Sequence, residues 1–135
     1  MGRSDLILLD THIVVWLAFS PELLSAHARA AIDKARRDGD GLAIADISLL
    51  ELAMLANKGR IKLEISLESF LTEVESRFVV LPITGAACAR ISQLPKSYPK
   101  DPVDRLIGAT AQAAGRELIT ADGAIRRSKA VRTIW

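Results

Sequence analysis

The chain has 135 residues, half of them hydrophobic, and a formal net charge of +2. That length supports one compact core without covalent staples, so residues 1–135 are expected to form a single domain. The small net charge excludes a nucleic-acid function argued from charge alone, and the lone Cys88 excludes an internal disulfide and fits a reducing, cytoplasmic setting.

Apolar runs of strand length alternate with segments of helical period, the pattern of an α/β domain around a parallel sheet. The stretch after Arg3 is interrupted by Asp5, Asp10, Thr11 and His12. It therefore holds neither an uncharged signal core nor the roughly 20 apolar residues of a membrane span. Leu6 also stands where a myristoylation signal after Met1-Gly2 needs Ser or Thr. The segment reads instead as a buried strand, Leu6 to Leu9, closed by Asp10 and followed by a helix from Thr11. Ser25 to Arg37 reads as a helix, with Ala28, Ala31, Ile32 and Ala35 on one face and Asp38-Gly39-Asp40-Gly41 as its stop.

A second strand is expected over Leu42 to Ala45, then Asp46 as an N-cap and a very apolar helix carrying Glu51. Ser66 to Arg77 gives another helix, and Phe78 to Pro82 a third strand. Cys88 falls in an alanine-rich helix with no base beside it, which argues against a thiol nucleophile. Leu94 to Lys100 contains two prolines and no period, so it is a loop. It leads into a helix opened by Asp101 as cap, Pro102 at the first position and Asp104 at the third. The last strands are Glu117 to Ala121, followed by Asp122-Gly123, for which a turn is the ordinary alternative to a site role, and Val131 to Ile134.

Each acid has an ordinary structural explanation when taken alone. Asp10 and Asp101 cap helices, Asp104 complements a helix dipole, and Asp122 begins a turn. Glu51 resists such an explanation, because Ile47, Leu49, Leu50, Leu52, Met54 and Leu55 surround it, and an ionised carboxylate in that setting must be paired, neutral or bound to a metal. Jointly the four residues Asp10, Glu51, Asp104 and Asp122 fall where ligands collect in open parallel sheets, beyond the carboxyl ends of the strands. Like charges brought within a few ångströms repel by roughly 4 kcal/mol per pair at an effective dielectric near 20, and a hard cation relieves that cost. Carboxylates and retained waters suit Mg²⁺ or Mn²⁺, whereas two histidines and one cysteine make no zinc set. His12 reads as a partly buried helix residue. Neither phosphate-binding glycine motif occurs, and the few aromatic residues offer no stacking ladder for single-stranded nucleic acid.

With these residues in view, the chain resembles the PIN-domain ribonucleases, and most closely the VapC-like toxins of toxin–antitoxin pairs. The carrying segments are Leu8-Leu9-Asp10-Thr11-His12 with Trp16, Ile47 to Ala53 around Glu51, Asp101 to Ala111, and Leu118-Ile119-Thr120-Ala121-Asp122. The resemblance implies a three-layer α/β/α sandwich around a parallel sheet of about five strands. It implies that Asp10, Glu51, Asp104 and Asp122 hold the metal and carry catalysis, with Asp101 accessory and Arg105 its partner. Thr11, Ser48 and Thr120 match polar positions beside those acids. A homodimer, a cognate antitoxin covering the acidic cleft, and an RNA substrate follow from the resemblance alone. The chain departs from the pattern at Pro99-Lys100 and Val103, and Asp46 is an extra acid.

The expected activity is metal-dependent hydrolysis of RNA phosphodiesters, with Lys100, Arg105, Arg126 and Arg127 offsetting repulsion at the rim. Two other classes remain open on sequence: a receiver-like phosphoacceptor domain, and a catalytically silent PIN-fold binding module. The first needs paired acids after strand one and a late strand-end lysine, where this chain has Asp10 alone and Thr120-Ala121-Asp122.

Overall fold

In the computed structural model, residues 6–135 are described. The readings that rest on Met1-Gly2, Arg3 and Asp5 lie outside them. Five parallel strands, β1 (Ile7–Leu9), β2 (Leu42–Ala45), β3 (Val79–Leu81), β4 (Leu118–Ile119) and β5 (Thr133–Ile134), form one sheet in the order β3-β2-β1-β4-β5. The chain starts in the middle, builds outward to β3, then returns across β1 to add β4 and β5. This reversal puts the two halves of the chain on either side of β1, so the end of β1 is the switch point at which a cleft opens.

Seven α-helices cover the sheet among the described residues: α1 (Thr11–Phe19), α2 (Ala26–Asp38), α3 (Ile47–Asn57), α4 (Leu67–Arg77), α5 (Gly85–Ile91), α6 (Pro102–Ala114) and α7 (Gly123–Ser128). Side chains alternate across a strand, and the core divides accordingly. Leu9, Ile44 and Ile119 point to one face, where Ile13, Ile32, Leu52, Phe70 and Val74 of α1 to α4 bury them. Leu8, Ala43, Ala45 and Leu118 point to the other, against Tyr98, Ile107, Ala111 and Ile125. Three layers result, as the resemblance implies, around the parallel sheet that the alternating apolar runs predict. No helix among the described residues is long and apolar enough to cross a membrane.

Local chemistry sets the helix ends. Ser25 and Ser66 accept from the backbone N–H groups of Ala28 and Ser69, and α2 stops at Gly39, whose φ of 72° is the left-handed conformation that glycine adopts without strain. β2 keeps its expected bounds, Leu42–Ala45, while the other four strands are shorter than their apolar runs. Phe78 is the C-cap of α4, its N–H bonded to the Val74 carbonyl, so β3 begins one residue later. At the end of β4 the Ala121 N–H donates to His12 Nε2 rather than to a strand, which stops the ladder.

One structural alternative and one expectation are corrected. Asp122-Gly123 is no simple turn, because Asp122 accepts from the Ile125 N–H and caps α7. Asp46 precedes α3 but its side chain makes no capping hydrogen bond, and its backbone is already helical (φ −60°, ψ −28°). One Asp46 oxygen accepts from the Ile83 N–H at 3.0 Å, tying the end of β2 to the segment after β3, and the other is buried without a partner among the described residues.

Candidate active site

The acids collect at the carboxyl end of the sheet because three different elements deliver them there. Asp10 terminates β1 and caps α1: Oδ1 accepts from the Thr11 N–H at 2.9 Å, and Oδ2 accepts from the Thr120 hydroxyl at 2.8 Å. Both oxygens of a carboxylate that is only 3% exposed are thus held in fixed directions. The Thr120 hydroxyl also accepts from the Asp122 N–H at 3.1 Å, so one buried side chain links the end of β4 to the end of β1.

Glu51 projects from the second turn of α3, and Asp104 from the first turn of α6. Asp101 holds that turn by accepting from the N–H groups of Val103 at 2.8 Å and Asp104 at 3.4 Å. Thr11 and Ser48 share a 2.8 Å hydrogen bond that pins α1 to α3 directly beneath the acids. Asp10, Glu51 and Asp104 line one cavity of about 250 Å³, together with Thr11, His12, Trp16 and Arg60. Larger hollows of about 410 and 630 Å³ exist elsewhere, but none of the predicted acids lines either.

Electrostatics mark the same place. The Asp104 carboxyl is pushed up to about 7, first by burial and then by the negative charges of Asp10, Asp101, Glu51 and Asp122. Burial also raises Glu51, with Asp10 and Asp101 adding to it and a hydrogen bond from Thr11 opposing it. An acidic group held half-protonated near neutrality by neighbouring acids is a charge deficit that a cation removes. The donor set consists of carboxylate and hydroxyl oxygens, the hard ligands of Mg²⁺ and Mn²⁺, so the chemistry of the residues fits that class of ion. Among the described residues, no three Asp, Glu, His or Cys side chains already stand close enough to ligate one ion.

The remaining predicted residues divide. Asp122 is joined to Asp10 through Thr120, yet it caps α7 and does not line the cavity. Arg105 makes no ion pair with Asp101. Its guanidinium donates to the carbonyls of Tyr98 at 3.2 Å and Ile91 at 3.4 Å, clamping the loop before α6. Arg127 folds over Gly123, where an added Cβ would lie 2.7 Å from Nη1. His12 is better placed than its sequence context suggests. Its Nε2 accepts from the Ala121 N–H at 3.0 Å, so the neutral ring carries its proton on Nδ1, which faces Asp10 Oδ2 at 3.6 Å.

Sequence reasoning missed three residues. Tyr98 is 1% exposed and its hydroxyl donates to the Asp104 carbonyl at 3.1 Å, and the loop composition around it gave no signal of burial. Arg60 was one charge among many. Trp135 packs on Trp16 across nearly the whole chain length, with centroids 5.8 Å apart, and Trp16 meets His12 edge-on at 5.0 Å. No local pattern reports such a cluster.

The PIN domain family model matches residues 7–130. Ribonuclease VapC22 of Mycobacterium tuberculosis is 40% identical over 131 residues, which cover 96% of this chain and 98% of that protein. Among solved structures, VapBC2 from Rickettsia felis bound to a DNA fragment from its promoter superposes with a TM-score of 0.71 at 19% identity, covering 95% of this chain and 96% of the other. A toxin–antitoxin complex from Klebsiella pneumoniae superposes with a TM-score of 0.60 at 25% identity, over 86% of each chain. Matched along nearly its whole length by both sequence and fold, this chain belongs to the PIN-domain family.

Proposed function

We propose that the chain is a metal-dependent endoribonuclease, the toxin of a toxin–antitoxin pair, with Asp10, Glu51, Asp104 and Asp122 as its metal-holding and catalytic acids. The observation that carries the proposal is that Asp10, Glu51 and Asp104, delivered by three different elements, line one cavity at the switch point of the sheet, where burial and the neighbouring acids also raise the Asp104 carboxyl. The 40% identity to a ribonuclease and the likeness to a toxin–antitoxin complex support the substrate class and the antitoxin partner.

A divalent cation, magnesium or manganese, held by these carboxylates would supply positive charge opposite the phosphate and lower the pKa of an attacking water. The chain's own residues keep the acids in place for it. Thr120 and the Thr11 amide fix the two oxygens of Asp10, and the Thr11–Ser48 bond fixes the α1–α3 contact that sets Asp10 relative to Glu51. His12, oriented by the Ala121 N–H, turns its Nδ1 toward Asp10 Oδ2 at 3.6 Å. Asp101 and Tyr98 hold the first turn of α6, and with it Asp104.

The test is cleavage of single-stranded RNA by purified protein with Mg²⁺ or Mn²⁺. Asp10→Asn is expected to lose at least about 100-fold in rate, the scale of removing one preorganised electrostatic group, with a thermal melt checking that the variant is folded. Full activity in that variant defeats the reading. Leu50 and Met54, one turn apart on α3 and 55% and 44% exposed, are the apolar face we assign to a homodimer, which sedimentation would refute by finding only monomer. A single domain over residues 1–135 and a cytoplasmic location complete the proposal; limited proteolysis and cell fractionation test them.

A further inference from the structure

We propose that Arg60 and Trp16 form a nucleotide subsite at the mouth of the acidic cleft, in which Arg60 takes a backbone phosphate of a single-stranded RNA and Trp16 stacks the adjoining base. The inference rests on the ribonuclease reading and adds where the strand lies. Asp10, Glu51 and Asp104 line the same cavity as Trp16 and Arg60, and Arg60 is the one lysine or arginine among the lining residues.

Arg60 is built as a presented cation. The backbone around it is fixed, with Lys58, Gly59 and Arg60 donating to the carbonyls of Met54, Ala56 and Leu55, and with Ile61 buried in the core. Its side chain is exposed, and its guanidinium makes no hydrogen bond or ion pair among the described residues. A polyanion approaching several carboxylates needs a counter-charge beside its path, and the planar guanidinium suits phosphate oxygens.

Trp16 is held from two sides, edge-on by His12 and at a tilt by Trp135, and His12 is in turn held by the Ala121 N–H. Core packing accounts for Trp135 and for part of Trp16. It does not require that the Trp16 ring line the wall of an acidic cavity beside an unpaired arginine. A rigid indole next to a phosphate-binding group is the pair of features with which proteins hold an unstacked nucleotide, because every base has a π-face.

Binding is measured by anisotropy of a short fluorescein-labelled single-stranded RNA to the Asp10→Asn protein without divalent metal, between about 50 and about 200 mM KCl. Arg60→Ala is expected to weaken binding about tenfold and to lower the salt slope by about 0.7, the value for one lost phosphate contact on a single strand. Trp16→Leu is expected to weaken binding by a similar factor with the slope unchanged, and Trp16→Phe to retain most of it. In the cleaving protein, Arg60→Ala is expected to raise KM by the same factor with little change in kcat. Arg37→Ala, an equal charge change on the far helix α2, serves as the control and is expected to bind like the parent. RNA binding by Arg60→Ala with the parent's affinity and slope, or an equal loss in Arg37→Ala, overturns the subsite while leaving the ribonuclease reading intact. A parent protein that neither binds nor cleaves RNA removes both.

Discussion

Thr120 shows how much of the site hangs on one neutral side chain. It is fully buried, donates to Asp10 and accepts from the Asp122 N–H. Valine has the same shape and neither function, so Thr120→Val leaves a part-buried N–H and a buried carboxylate oxygen without their partners, at a cost of about 1–3 kcal/mol. Cleavage is expected to fall about 10- to 100-fold, the usual penalty for losing a group that orients a metal-holding residue. Thr120→Ser keeps the hydroxyl and should retain most activity, so a pair of rate measurements with thermal melts separates orientation from packing. Sequence pointed to Thr120 through its place beside Asp122, but its main partner lies 110 residues away. Asp46 teaches the converse. Aspartate before a helix is a sound capping signal, yet here the backbone had entered the helix already and the carboxylate was free to reach Ile83.

At the scale of elements, the loop before α6 behaves as part of the site. Tyr98 lies against Gly108 so closely that a Cβ there would sit 2.2 Å from the hydroxyl and 2.7 Å from Cζ. Glycine is required at this position for the close approach, since its backbone is ordinary helix. Gly108→Ala is therefore expected to destabilise by about 1–3 kcal/mol through overpacking, and to weaken cleavage because Tyr98 can no longer hold the Asp104 carbonyl. Tyr98→Phe removes the nearest clashing atom, so the double variant should be less destabilised than the two single changes added together, which a denaturation cycle measures. The start of α6 was readable from Asp101-Pro102, because capping is local chemistry. Burial of Tyr98 was not readable, because it depends on a helix whose glycine is ten positions on.

For the molecule as a whole, the crowding of acids makes stability depend on pH. In the folded, metal-free chain Asp104 binds its proton up to about 7, against an ordinary value of 3.8, and Glu51 shifts in the same direction. A raised carboxyl means that the native state holds more protons than the unfolded one between those values, so stability falls as pH rises through the window and the contribution is gone above it. Thermal melts in a chelator should therefore drop by a few degrees between about pH 5 and about pH 8, and added Mn²⁺ should restore them at the upper end, since a ligand of the native state stabilises by mass action. Asp104→Asn should flatten the dependence. An unchanged slope in that variant would assign the effect to other groups.

The amino-acid order by itself determined the alternation of strands and helices, the caps at Asp10 and Asp101, and the residues on which the family likeness rests. All of these arise from contacts within a few positions, where periodicity and side-chain chemistry leave little choice. Only the tertiary structure decided that β1 lies between β2 and β4, that Asp10, Glu51 and Asp104 share a cavity while Asp122 caps α7, and that Trp16 meets Trp135. Those facts come from closing long loops around a common sheet. Which side chains then become neighbours is set by strand order and crossover, and no short stretch of sequence encodes either.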